Sequence, residues 1–242
     1  MKQIEKLDWD SDFFKIRVGK FLIVNEEEFD PIVFKKEAEQ KFDLIYVLSY
    51  QKMLSQEKIN LANLDLVDII MTMSKPFKKN EFKKNDYNFR NNLSVNELND
   101  CYEIAEITSV VSRFFDENLI GPKMTKLLYR KWIDNALNNS FSDGMFLIKE
   151  NNSVIGIHLV KVDKKNKEGI FTLTGVNPNY KRLGLGRKLW EQSFGYFSNE
   201  TDIEIIKSPF SIKNLDSFNF HLKMGFNKVE EIKYIYHFRN NK

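Results

Sequence analysis

The sequence predicts an α/β fold built on a mixed sheet, and three observations carry that reading. Short runs rich in Ile, Val and Leu alternate with segments of helical spacing. Two such runs, 145–149 and 154–162, flank the polar turn Glu150-Asn151-Asn152-Ser153, which reads as an antiparallel hairpin. Further on, a strand-like run at 170–176 passes through a glycine-bearing turn directly into helical spacing, which is the beginning of a parallel crossover.

The elements follow in order. Residues 18–24 read as a strand. Residues 29–42 read as a helix, with Asp30 placed to cap it and Pro31 at its first position. Residues 44–49 and 66–73 are strands. A basic stretch from Lys75 to Asn85, interrupted by Pro76, reads as a solvated connector, with an anion-binding patch as the alternative. A boundary near 76–92 divides the chain into a small α/β unit at 1–90 and a larger one at 91–242. In the larger unit, residues 98–115 and 124–137 are helical, and the hairpin and the strand at 170–176 follow. A helix at 186–197, a strand at 203–207, a helix at 215–224 and a strand at 229–238 complete it.

Composition narrows the function. The chain has 242 residues, of which 42% are hydrophobic and 21 are Phe, enough for a large buried core. A net charge of +3 is too mild to mark a nucleic-acid binder, and none is expected, but it suits a small anionic ligand. The single cysteine, Cys101, permits no internal disulfide, and a cytoplasmic setting is expected. Acidic neighbours make Cys101 a poor nucleophile. Residues 1–6 lack a signal-peptide run, and no apolar stretch has the length of a membrane span.

The chemistry is concentrated between Gly175 and Leu189. Pro178 stops the strand, and Lys181-x-x-Gly184-x-Gly186 then opens a helix. Unpaired N–H groups at a helix start favour an anion, and glycine lets it come close. With Lys181, Arg182, Arg187 and Lys188 adding positive charge, the turn reads as a pyrophosphate cradle, and a Cβ at Gly184 or Gly186 is expected to intrude on the ligand. The Gly-Lys-Ser/Thr ending of a phosphate loop and the third glycine of a dinucleotide fold are both missing.

The string Val176-x-Pro178-x-Tyr180-Lys181-x-x-Gly184-x-Gly186-x-x-Leu189 resembles the acetyl-CoA motif of GNAT acetyltransferases, with Lys181 where Arg or Gln commonly opens the turn. The resemblance implies a GNAT fold preceded by the smaller unit, acetyl-CoA as co-substrate and no metal. The backbone of Lys181, Arg182, Leu183, Gly184, Leu185, Gly186 and Arg187 would hold the pyrophosphate, and Val176 would pair with the pantetheine. Downstream, Asn214 followed by His221 and Lys223-x-Gly225-Phe226 resembles the family's second motif. There Asn214 would touch the pantetheine or begin a helix. His221 stands where Tyr is usual and would either protonate the departing sulfur or simply pack on the helix. His158 is a candidate base or substrate contact, because its strand position lies opposite Ile155, Ile157 and Leu159; a structural role, Glu168 or a water chain are the alternatives. His237 is assigned no role.

Three further segments, Trp9-x-x-x-Phe13-Phe14, Ser112-Arg113-Phe114 and Tyr129-x-x-Trp132-Ile133, resemble bacterial TDP-fucosamine N-acetyltransferases. This implies as acceptor the amine of a nucleotide-linked amino-deoxysugar, a TDP-4-amino-4,6-dideoxyhexose used in surface polysaccharides. Arg113 would meet its diphosphate, and Trp9 and Phe114 would stack on its rings. A peptide, a protein N-terminus or a small amine as acceptor remains open, as do a non-catalytic acyl-CoA-binding module and a homodimer.

Overall fold

The computed structural model describes residues 3–50, 52–78, 93–138 and 140–240. Most of the predicted connector therefore lies outside the described residues; Lys75 and Pro76 close a strand instead. Nine strands form one mixed sheet: β1 (Glu5–Lys6), β2 (Val18–Ile23), β3 (Leu44–Tyr50), β4 (Leu64–Pro76), β5 (Gly144–Glu150), β6 (Ser153–Asp163), β7 (Glu168–Val176), β8 (Ile205–Ser211) and β9 (Lys228–Arg239). The main helices are α1 (Asp8–Phe14), α2 (Pro31–Lys41), α3 (Gln56–Leu61), α4 (Val95–Thr108), α5 (Gly121–Leu137), α6 (Leu185–Glu200) and α7 (Leu215–Lys223).

Local chemistry sets several helix boundaries. Asp30 caps α2 by accepting from the N–H groups of Ile32 and Val33, with Pro31 at the first turn. Ser94 and Glu97 form a reciprocal capping box on α4. The segment read as one helix over 98–115 is shorter than expected. Helix α4 ends at Thr108, and a single 3₁₀ turn (Ser109–Val111) and a loop follow. Three elements went unpredicted: β1, α1 and α3.

The strand order is β1-β2-β3-β9-β4-β8-β7-β6-β5. The segments before and after residue 90 interleave in it. The last strand, β9, runs antiparallel between β3 and β4, and β4 in turn lies between β9 and β8. The β5-β6 hairpin and β7 follow as an antiparallel meander, as the sequence suggested.

Helices cover both faces. On one, α6 and α7 bury Phe171, Trp190, Phe194, Phe197 and Phe226 against the sheet. On the other, α4 and α5 bury Ile104, Ile133, Ile157 and Leu159. A third core, with Phe34, Val47 and Phe238, lies under α2, and a fourth unites Phe14, Tyr46, Phe114 and Leu128. At Gly175 the end of β7 presses on α4: a Cβ there would lie 2.6 Å from Ile104 Cγ2 and 2.8 Å from Thr108 Oγ1. Gly175→Ala should therefore destabilise the fold by about 1–3 kcal/mol through overpacking. Urea unfolding measures this, and an unchanged midpoint would mean that α4 yields freely.

Candidate active site

Strands β7 and β8 pair in parallel over only three residues, from Glu168↔Ile205 to Ile170↔Lys207. Beyond that point β8 keeps its partner β4 through Ser211, and β7 keeps its partner β6 through Val176, but the two no longer meet. The parting coincides with a register shift on β7 that leaves Thr172 without a counterpart on β6. The sheet thus opens a wedge between Phe171–Val176 and Ser208–Ser211. A slot that exposes strand backbone on both sides can receive an extended ligand arm.

The glycine turn stands at the wide end of this wedge. After β7, Asn177 accepts from the Asn179 N–H to set a short 3₁₀ turn at Pro178–Tyr180. Arg182 and Gly184 then take positive φ, 65° and 75°. Helix α6 starts with no side chain capping it, so its first N–H groups stay available to an anion. A Cβ at Gly184 would meet no protein atom within 4 Å; its glycine serves the turn conformation. Gly186 differs from expectation, because a Cβ there would face Phe220 of α7 at 3.3 Å, so its smallness serves helix packing. Lys181, Arg182, Leu183 and Arg187 are exposed around the turn, Leu185 is buried beneath it, and Val176 ends β7 beside it.

Helix α7 begins at Asn214, whose Oδ1 accepts from Ser217 N at 3.0 Å; of the two roles weighed for Asn214, the structure shows the cap. His221 is buried in the same helix. Its Nδ1 lies 2.7 Å from the Ser217 carbonyl oxygen, which can only accept, so Nδ1 carries the proton. Nε2 then accepts from Ser208 Oγ at 2.7 Å. Phe210 stacks on the ring at 4.2 Å, and Trp190 meets it edge-on. Burial pushes the His221 pKa down to about 4, so the ring is neutral at pH 7. His221 therefore presents no proton to the wedge; it braces Ser208, which lies on the parted stretch of β8.

His158 is likewise enclosed. The strand face expected to open on a cleft is covered by α6, and the ring lies among Phe146, Phe171 and Trp190. Its Nδ1 meets Thr174 Oγ1 at 2.9 Å, the same oxygen that accepts from Trp190 Nε1 at 3.1 Å. Burial lowers its pKa to about 3. A ring held neutral and 0% exposed does not reach an acceptor. Glu168 is bound to Lys207 at the closed end of the wedge. Cys101 is buried, and burial raises its thiol to about 12.

The opposite face of the wedge carries charge. Arg113 lies in the α4–α5 connection, just past its 3₁₀ turn, and its guanidinium lies over Phe114 at 4.1 Å and Tyr46 at 5.5 Å. It forms no hydrogen bond or ion pair with a described residue, and its Nε is buried without a partner. Phe114 is core rather than ligand surface, tilted on Phe14 and edge-on to Tyr46. Trp9 is half exposed and stacks on Phe13 at 5.0 Å. Nearby, His237 donates from Nδ1 to the buried carboxylate of Glu117, which also accepts from Arg239. Burial alone would raise Glu117, but these two donors hold it at about 2. The network ties the loop after α4 to β9, a role for His237 that its flanking residues in sequence did not suggest.

A family model, the acetyltransferase (GNAT) family, matches residues 100–226, about half of the chain. The chain belongs to the GNAT acetyltransferase family. As a member it is an acyl-CoA N-acetyltransferase. No curated protein matches the sequence. A conserved protein of unknown function from Staphylococcus epidermidis ATCC 12228 is similar in structure, with a TM-score of 0.64 at 13% identity over 99% of this chain and 93% of that one. A GCN5-related N-acetyltransferase from Sphaerobacter thermophilus is similar over 82% of this chain and 61% of that one, with a TM-score of 0.51 at 12% identity. At such identities the likeness concerns the fold. Among the described residues no helix is long and apolar enough to cross a membrane, and no group of three or more His, Cys, Asp or Glu is placed to hold a metal.

Two outcomes follow from this geometry. Gly184→Val should weaken acetyl-CoA binding by roughly tenfold or more, because a β-branched residue resists positive φ and the turn must rearrange. Gly186→Ala should instead lower stability with a smaller effect on affinity. Calorimetry and melting curves separate them, and equal affinity losses would contradict the division of roles. Acid should also unfold the protein early. The folded pKa values of His221 and His158 lie below the ordinary 6.5, so between that value and about 4 the unfolded chain binds more protons. Stability should decline as pH falls through this window, and Glu117 adds a further decline from about 4.5 toward 2. A melting temperature that stays flat from pH 7 to pH 5 would show that these histidines are solvated.

Proposed function

We propose that the chain acetylates the primary amine of an anionic small molecule, with a nucleotide-linked amino-deoxysugar such as a TDP-4-amino-4,6-dideoxyhexose as the acceptor. The observation that carries the reading is Arg113, a guanidinium framed by Tyr46 and Phe114 with no acceptor among the described residues. A planar donor fork left unpaired suits a phosphate, which it can bind through two parallel hydrogen bonds. Trp9, half exposed on α1, offers a face for a base or sugar.

In this reading the donor lies with its pyrophosphate at the Arg182–Gly184 turn and its arm in the β7–β8 wedge. The acceptor enters from the α4–α5 face, so that amine and thioester meet across the parted strands without a covalent enzyme intermediate. Backbone N–H groups released by the β7 irregularity at Thr172 are suited to receive the developing negative charge on the carbonyl oxygen. Ser208, whose one hydroxyl hydrogen goes to His221 Nε2, steadies the parted stretch of β8, and the departing sulfur takes its proton from water.

Acetyl-CoA turnover against a panel of nucleotide amino-sugars tests the acceptor class. Arg113→Ala should raise KM for a TDP-amino-sugar by on the order of 10-fold to 100-fold, the effect of losing a charge-assisted pair, and leave KM for acetyl-CoA nearly unchanged. Arg113→Lys should recover part of the loss, because an ammonium cannot make the paired contact. A panel without turnover, or an Arg113→Ala enzyme with an unchanged acceptor KM, would refute the nucleotide-sugar reading.

A further inference from the structure

A transferase of this kind must deprotonate its acceptor, since an ammonium has no electron pair with which to attack. His158, the histidine weighed for this task, is enclosed on the α6–α7 face, and Glu168 is bound to Lys207. Of the other carboxylates near Arg113, Glu117 is held by His237 and Arg239 and Asp65 by Arg239, while Asp10 meets the Tyr46 hydroxyl at 3.5 Å and stands on α1 beside β2, away from the parted strands. Asp68 is different.

Asp68 stands on β4 just past an irregularity in the β4–β9 register, between Leu66 and Asp68. It is 4% exposed. Its Oδ1 accepts from Ile69 N at 2.8 Å and from Ser211 Oγ at 2.6 Å. Ser211 is the last residue of β8, on the stretch that β7 has left, so the carboxylate is fixed at the open end of the wedge. Its Oδ2 receives no donor from any described residue. Phe210 and its partner Met71 pack in the α6–α7 core, so the neighbouring Ser211 side chain and the Asp68 carboxylate bonded to it lie on the opposite face, that of α4, α5 and Arg113. Yet Asp68 and Arg113 form no ion pair. Two opposite charges facing one cleft without neutralising each other, each anchored by its own surroundings, make a site for a ligand that carries both an ammonium and an anion.

We propose that Asp68 binds the acceptor ammonium through Oδ2 and takes its proton. The inference rests on the reading that the acceptor enters from this face. The ammonium gives one proton to the Asp68 carboxylate, which passes it to solvent. The freed nitrogen pair forms the C–N bond to the acetyl carbon as the C–S bond breaks and its electrons leave with the sulfur. The second proton lost by nitrogen is balanced by the one that the sulfur gains, so the net release is one proton.

Asp68→Asn tests this with little structural disturbance, because an Asn Oδ1 keeps both bonds from Ile69 and Ser211. Two small acceptors serve as probes at high concentration: propylamine, which is protonated at neutral pH, and hydroxylamine, which is largely neutral there. Neither carries an anion, so the result does not depend on Arg113 or on the identity of the natural acceptor. After subtraction of the uncatalysed reaction, the ratio of propylamine to hydroxylamine turnover should fall on the order of 10²-fold in Asp68→Asn, the range for a lost base. Asp68→Glu should restore part of the ratio, with acetyl-CoA affinity and melting temperature close to the wild-type values in both variants. An unchanged ratio would overturn the assignment, whether or not both rates fall together. Wild-type enzyme that acetylates neither probe would overturn it as well, since the ammonium site would then be closed. Failure of the nucleotide-sugar reading appears elsewhere, in the acceptor KM of Arg113→Ala.

Discussion

The site depends on the point at which β7 and β8 stop pairing. Three residue pairs hold them, and then β7 follows β6 while β8 follows β4. Backbone groups that a continuous sheet would satisfy internally become available to a ligand, and the two faces of the sheet come into contact through the gap. One face supplies the uncapped N-terminus of α6 and the other supplies Arg113 and Asp68. In the proposed arrangement donor and acceptor meet from opposite sides of one layer. The cost of the open edge is offset nearby, where α6 and α7 pack a dense aromatic cluster around Trp190 and Phe171.

Polar groups around the wedge fall into two kinds. Buried ones such as His221, bonded at both ring nitrogens, and His158, bonded through Nδ1, are neutral within aromatic surroundings, so they hold Ser208 and Thr174 in place rather than exchanging protons with a ligand. Others retain unmet capacity: the guanidinium of Arg113, and the second oxygen of Asp68. Strong electrostatic groups kept apart in a partly desolvated cleft exert more force on a ligand than the same groups at an open surface.

Much of this was legible in the chain. The period-2 and helical spacings gave the meander, the crossover helices and the last strand, because those segments bury one consistent face. The stretch from Val176 to Leu189 announced the positive-φ turn and the uncapped start of α6, since proline, glycine and positive charge act locally there. Tertiary effects were not legible. Gly186 reads as a ligand glycine, but its neighbour is Phe220, which comes from another helix. His158 alternates away from Ile157 and Leu159, yet both faces of β6 are covered, so alternation could not tell an open face from a second core. Asp68 escaped attention because it lies inside a run of strand-forming residues, and its partner Ser211 is distant in sequence. The short helices α1 and α3 carry too few turns for a periodic signal.

The interleaving of β4 and β9 has a consequence for how the molecule is made. A ribosome releases β2, β3 and β4 early, but β3 and β4 do not touch; the slot between them belongs to β9, which begins only at Lys228. Until then both strands present unpaired edges, the condition under which chains associate with one another instead of folding. The small first unit is thus an unfinished sheet until β9 has been made. Folding ends with a long-range insertion of the kind that is slow for entropic reasons. Disturbances near residues 228–239 should accordingly appear as poor yield of soluble protein before they appear as altered catalysis.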